Sequence, residues 1–192
     1  MKIDKVVLNL PEKIILFDLE YTSWEGSMAR DWSGEGEYRE IVDIGAIRFN
    51  TKTGAEESRF QRFVKPKKNP KLSDYFIKLT RITQANVDRK GVSFEQALEE
   101  FREWSGNYPI YSFGSDGKTL KENCGLYGVA WPFQDGRFFD VREIFKNAGI
   151  VTENYMSSTI IEAFGQKSKH RGHTGLNDVR TIADALRILI GV

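Results

Sequence analysis

Apolar residues change their spacing along this chain near Pro70. Ahead of it they crowd into short runs, and beyond it they recur every three or four positions. Ile14-Ile15-Leu16-Phe17, followed by Leu19, is dense enough to predict a buried strand that continues to Thr22. The segment from Glu40 to Phe49 is rich in β-branched residues and stops at Asn50-Thr51-Lys52-Thr53-Gly54, a turn signal, so a second strand is expected there. A third strand is expected at about 58–64. Short connections between the three predict an antiparallel meander. Between the first two strands lies a loop at about 23–39, rich in Gly, Ser, Glu and Trp.

Beyond Pro70 the pattern is helical. Ser93-Phe94-Glu95-Gln96 reads as a capping box, after which Phe94, Ala97, Leu98, Phe101 and Trp104 repeat at helical spacing, as core residues do. Tyr108 to Gly114 predicts a fourth strand that opens into a helix over about 116–127. A second capping box, Asp140-Val141-Arg142-Glu143, predicts a helix that stops at Gly149, and another helix is expected to end near Gly165. A last helix at about 174–189 carries Leu176, Val179, Ile182, Ala183, Leu186 and Leu189 on one stripe. No internal repeat or linker interrupts the series. One domain over residues 1–192 is expected, an α/β mixed sheet with helices packed on it.

Composition narrows the function classes. The 40% hydrophobic and 29% charged makeup is that of an ordinary folded domain. No apolar run approaches the roughly 20 residues that span a bilayer, and Met1-Lys2-Ile3-Asp4-Lys5 lacks a signal-peptide core, so a cytoplasmic protein without a membrane partner is expected. The single cysteine, Cys124, reads as a small core residue. A formal net charge of +1 argues against a large charge-driven footprint on duplex nucleic acid, leaving short, local contacts. Two basic clusters, residues 62–71 and 167–171, offer such contacts or are solvated loops.

Two acids interrupt the most apolar strand. Side chains alternate along a strand, so Asp18 and Glu20 point to the same face. Like charges that close raise each other's pKa, and burial adds several kcal/mol per ion, so a cation between them is expected, a divalent metal being the natural one. A solvated strand end, or pairing with Lys or Arg, is the alternative. Asp178 falls about 40° from Ile182 on the last helix and so borders its buried face, although a first-turn acid favoured by the helix dipole has the same address. His173 is expected on the loop entering that helix, where an imidazole can accept a proton near neutral pH or simply sit at the surface. Asp116, after the fourth strand, also fits a helix cap.

The joint order of these residues resembles a known family. Asp18-x-Glu20, then Asp116, then His173-x-x-x-x-Asp178 is similar to the DEDDh 3′-to-5′ exonucleases of the RNase H-like superfamily, and most to their Eri-type, RNA-trimming group. Glu40-Ile41-Val42-Asp43-Ile44-Gly45-Ala46 looks like the family's second strand, and Asn69 to Gln84 like its "P-x-L-S-x-x-x-x-x-L-T-x-I-T-Q" segment. The likeness runs from about Ile14 to Leu189, with Phe113 and Ser115 where relatives often carry Trp and Asp.

The resemblance implies an RNase H-like fold, a mixed five-stranded sheet flanked by helices. It also implies hydrolysis of single-stranded RNA or DNA from the 3′ end to nucleoside 5′-monophosphates. Asp18, Glu20, Asp116 and Asp178 would hold two Mg²⁺ or Mn²⁺ ions, and His173 would be the general base. Tyr21, Thr22, Phe113 and Trp24 are the expected substrate contacts, with Trp24 and Trp32 able to stack on bases or to pack as a lid. Two rivals remain at this point: the same enzyme as a DNA 3′-end trimmer, a proofreading-type exonuclease or an oligoribonucleotide scavenger, and a catalytically silent nucleic-acid-binding module on the same fold.

Overall fold

A computed structural model describes residues 10–192. The expectation about Met1 to Lys5 lies outside the described residues. Five strands form one sheet in the order β3-β2-β1-β4-β5. They are β1 (Lys13–Tyr21), β2 (Ile41–Asn50), β3 (Glu56–Phe63), β4 (Ile110–Ser112) and β5 (Phe138–Asp140). β1 pairs antiparallel with β2 and β2 with β3, the meander read from the sequence, while β4 and β5 add in parallel.

β1 is central and covered on both faces, which accounts for its unbroken apolar run. Ile14 and Leu16 enter the cluster formed with helix α6 (Gly175–Ile190) and helix α5 (Arg142–Asn147). Ile15, Phe17 and Leu19 enter the opposite cluster, against helices α3 (Phe94–Ser105) and α4 (Asp116–Tyr127). Strand parity therefore puts Asp18 and Glu20 on the α6 face, continuing the row begun by Ile14 and Leu16. A smaller third cluster gathers Val42, Leu72, Phe76, Ile82 and Val87 under helices α1 (Asp74–Thr80) and α2 (Gln84–Lys90). No helix among the described residues is long and apolar enough to cross a membrane.

The structure corrects several local expectations. The Ser93 box is half formed: Ser93 Oγ accepts the Gln96 N–H at 3.2 Å, but the Gln96 side chain turns outward to Glu100 at 2.9 Å. A complete box closes instead at Thr83 and Asn86, ahead of α2. Asp140 ends β5, a strand too short to show in the sequence, and the expected box reduces to its bond with the first N–H of α5, because the Glu143 side chain turns to Lys146 at 3.3 Å. The Asp140 carboxylate accepts the Gly114 and Arg142 N–H groups at 3.1 and 2.9 Å, stitching the end of β4 to α5. The segment ending at Gly165 is a 3₁₀ turn, Ile160–Phe164, rather than an α-helix.

Candidate active site

Two glycines decide how closely α6 approaches the sheet. Gly45 on β2 lies opposite Asp18, and a Cβ placed there would sit 2.1 Å from the Leu176 nitrogen and 2.2 Å from the Gly175 carbonyl carbon. A Cβ on Gly175 would in turn fall 2.7 Å from the Asp18 carbonyl oxygen. Backbone presses on backbone, so both positions require the residue without a side chain. That contact carries Asp178, in the first turn of α6, onto the same face as Asp18 and Glu20.

One oxygen from each of Asp18, Glu20 and Asp178 can be chosen so that all three lie within 4.8 Å of one another. Asp18 and Asp178 are buried, 6% and 3% exposed, and Glu20 is half-buried. Among the described residues, no lysine or arginine forms an ion pair with any of the three. Their remaining partners are few. Ser157, from the segment ahead of the Ile160–Phe164 turn, reaches Asp178 Oδ2 at 3.4 Å, and its hydroxyl also favours the ionised form of Asp18. The His173 N–H donates to both Asp178 oxygens at 3.2 and 3.3 Å.

Crowding shows in the protonation of these groups. Burial, then the charges of Asp116, Asp178 and Glu20, pushes Asp18 well above the usual carboxylate range. Burial, then Asp178, Asp43 and Asp116, does the same to Glu20. Burial raises Asp178 to about 7 against the opposing His173 and Ser157 bonds. Asp116, the first residue of α4, stands outside the three-carboxylate group but raises Asp18 and Glu20. Burial pushes Asp116 itself to about 7, opposed by a bond from the Leu19 N–H. The helix cap is Ser115 rather than Asp116, without a side-chain bond. An all-carboxylate donor set, poor in protein donors and unfavourable when fully ionised, fits a hard divalent cation such as Mg²⁺ or Mn²⁺.

His173 precedes α6 on a loop, as expected, with φ of 67°. Histidine tolerates that left-handed backbone better than most residues, and the turn is what aims its N–H at Asp178. Burial and then the Arg171 charge lower its pKa, leaving the imidazole neutral near pH 7.

The expected substrate contacts divide. The Tyr21 ring packs edge-on against Trp32 at 5.2 Å, with the Arg39 guanidinium 5.7 Å from its centre, and remains partly exposed. Phe113 is partly exposed above the α6-side core, with Arg142 5.9 Å from its ring centre. Trp24 is partly exposed, its backbone N–H donating to Ser27 Oγ at 3.1 Å. Thr22 is buried and held by four bonds. Its N–H donates to the Glu40 carbonyl at 2.8 Å, and its carbonyl accepts the Trp32 indole N–H at 2.8 Å. Its hydroxyl donates to the Tyr38 carbonyl and accepts the Glu40 N–H at 3.0 Å. Every polar group of Thr22 is spent inside the protein, so it braces the strand exit, and Trp32 packs as part of that brace.

Sequence reasoning missed the supporting residues. Asp43, fully buried opposite Glu20, accepts the Gly175 N–H at 3.3 Å and bonds from Gln61, linking β2 to the start of α6. An acid inside an otherwise apolar strand was the available signal for Asp43. Ser157 offered none, because nothing local marks a serine that folds back over a distant helix.

Comparison with known proteins agrees with this arrangement. The exonuclease family profile, RNase_T, matches residues 15–186. The chain is 32% identical over 188 residues to human "3'-5' exoribonuclease 1", covering 92% of this chain and 52% of that protein. It is 25% identical over 194 residues to the Drosophila melanogaster "3'-5' exonuclease Snipper", covering 88% and 66%. Among solved structures, the nuclease domain of 3'hExo, described as a DEDDh family member bound to rAMP, superposes with a TM-score of 0.80. That match has 29% identity and covers 93% of this chain and 92% of that one. The chain spans about half the length of the mammalian exoribonucleases it matches. By profile, sequence and fold together, it belongs to the exonuclease family, in the Eri-type group of its DEDDh members.

Proposed function

We propose that this chain is a 3′-to-5′ exonuclease that shortens single-stranded nucleic acid to nucleoside 5′-monophosphates, RNA in preference to DNA. The observation that carries the reading is the convergence of Asp18, Glu20 and Asp178 without cationic side chains, beside the neutral His173. In this reading Asp18, Glu20, Asp116 and Asp178 hold two divalent ions, Mg²⁺ or Mn²⁺. Such ions, when bound, lower the pKa of an attacking water and neutralise charge on the departing 3′ oxygen.

The protein's own groups supply the rest. His173 accepts the proton of the attacking water, a role that suits an imidazole held neutral by burial. Asp178 fixes the turn that carries His173 through its backbone N–H. Tyr21, Phe113 and Trp24 offer partly exposed aromatic faces to the terminal nucleotides, and Thr22 keeps the strand exit that bears Tyr21 and Trp24 in place. The preference for RNA rests on the exoribonuclease relatives and on the rAMP bound to 3'hExo.

The test is a gel time course on matched 5′-labelled single-stranded RNA and DNA with Mg²⁺, Mn²⁺ or EDTA. A metal-dependent ladder shortening from the 3′ end, faster on RNA, is the expected result. Faster cleavage of DNA would assign a DNA 3′-end trimmer, and no cleavage with any metal would reject the enzyme in favour of a binding module.

A further inference from the structure

Residues 65–71 carry four lysines in a chain whose formal net charge is +1. Lys65, Lys67, Lys68 and Lys71 are all exposed. Lys67 pairs with Glu95 at 2.7 Å, whereas among the described residues no ion pair holds Lys65, Lys68 or Lys71. Like-charged side chains this close on a mobile loop would spread apart. Here the loop is fixed from beneath.

The fixing group is Glu40, a glutamate with no exposed surface. Its carboxylate accepts the Lys67 and Lys68 N–H groups at 2.8 Å each, the Asn69 N–H and the Tyr127 hydroxyl. Asn69 then crosses to the long loop, donating to the Gly36 carbonyl at 2.9 Å and accepting the Tyr38 N–H at 3.2 Å. Tyr38 is 43% exposed, and Lys68 Nζ lies 6.0 Å from its ring centre. An exposed aromatic ring beside the unpaired Lys68 ammonium, on a loop that also carries Lys65 and Lys71, is the pairing that single-stranded nucleic acid uses, one for base stacking and the other for phosphate. The surface also continues the candidate active site. Tyr38 and Glu40 bond directly to Thr22, two residues past Glu20 and roughly 7 Å along an extended chain.

We propose that Tyr38, Lys65, Lys68 and Lys71 form an upstream track that binds the single strand 5′ to the nucleotides held at the carboxylates. This rests on the exonuclease reading of the site. The track makes the enzyme favour longer strands and leaves the shortest ones unaffected.

Two variants test it in the full chain, Tyr38→Ala and the double substitution Lys68→Ala with Lys71→Ala. Steady-state cleavage would be compared on a 15-nucleotide and a trinucleotide RNA, and binding of the labelled 15-mer would be followed by fluorescence polarisation with Ca²⁺. KM for the 15-mer should rise about 10-fold in each variant with kcat and the trinucleotide KM unchanged. The double variant should flatten the log–log salt dependence of binding by about 1.4, roughly 0.7 per lost phosphate contact. An equal KM change on both lengths, or none on the 15-mer, would overturn the track. If the wild type cleaves neither RNA, the active-site reading fails on its own. Weaker 15-mer binding by the variants would then still support the track, and unchanged binding would overturn it.

Discussion

Two sets of buried carboxylates sit at the same end of the sheet, and they live by opposite means. Glu40 is fully buried yet surrounded by donors: three backbone N–H groups and a tyrosine hydroxyl. Asp18, Glu20 and Asp178 converge within 4.8 Å with Ser157 and the His173 N–H as their chief donors. A buried acid supplied with hydrogen bonds is part of the framework, because its charge is already compensated. Acids that are close together and poorly supplied press one another toward protonation, and a cation relieves them all. The contrast separates structural from chemical acids without appeal to position in the sequence.

The sharpest way to break that contrast is to remove one member of each set. Asp18→Ala should abolish cleavage while leaving the melting temperature unchanged or higher, since it relieves repulsion among crowded acids. Cleavage at wild-type rates, or a large loss of stability, would place Asp18 with Glu40 instead. His173→Ala should slow cleavage by about 10²- to 10⁴-fold, read as kcat on a short RNA. A loss under about threefold would remove it as the proton acceptor. Glu40→Ala should show the reverse profile, a stability loss of about 3 kcal/mol in urea melts from three orphaned N–H groups, with trinucleotide cleavage kept. Lost cleavage in a fully folded Glu40→Ala protein would contradict its structural role.

Acidity without metal gives a gentler probe. Asp43, Asp116 and Asp178 rise to about 7 in the folded protein, so between about pH 4 and 7 the native state binds more protons than the unfolded chain. Stability then falls as pH rises through that window and levels off above it. In EDTA the melting temperature should drop from pH 5 to pH 7.5, and added Mg²⁺ should recover it at the upper end. A flat or rising profile in EDTA would mean that these acids are compensated from within the protein.

Much of this contrast was legible in the sequence, but unevenly. Period-2 parity placed Asp18 and Glu20 on one face, and helical periodicity placed Asp178 at the edge of a buried stripe. Both follow from local geometry, so both could be read from the string. The role of Gly45 could not, because the constraint is the backbone of a helix 130 residues later. The bonds that hold Thr22 were hidden for a related reason. Its neighbours in sequence gave no sign that its hydroxyl is taken by Tyr38 and Glu40, which only the closed meander brings near. β5 escaped notice because three residues carry no period, and Asp140 looked only like a cap although its carboxylate also takes the Gly114 N–H past the end of β4. Glu40 was seen only as part of a family motif, and its four donors belong to a distant loop and helix.

Calorimetric titration of Mn²⁺ into the metal-free protein and its Asp18→Asn variant at pH 7.5 tests the central contrast most directly. Saturable binding to the wild type that is lost or much weakened in the variant is the expected result. Absence of binding to the wild type, or equal binding to both proteins, would contradict it.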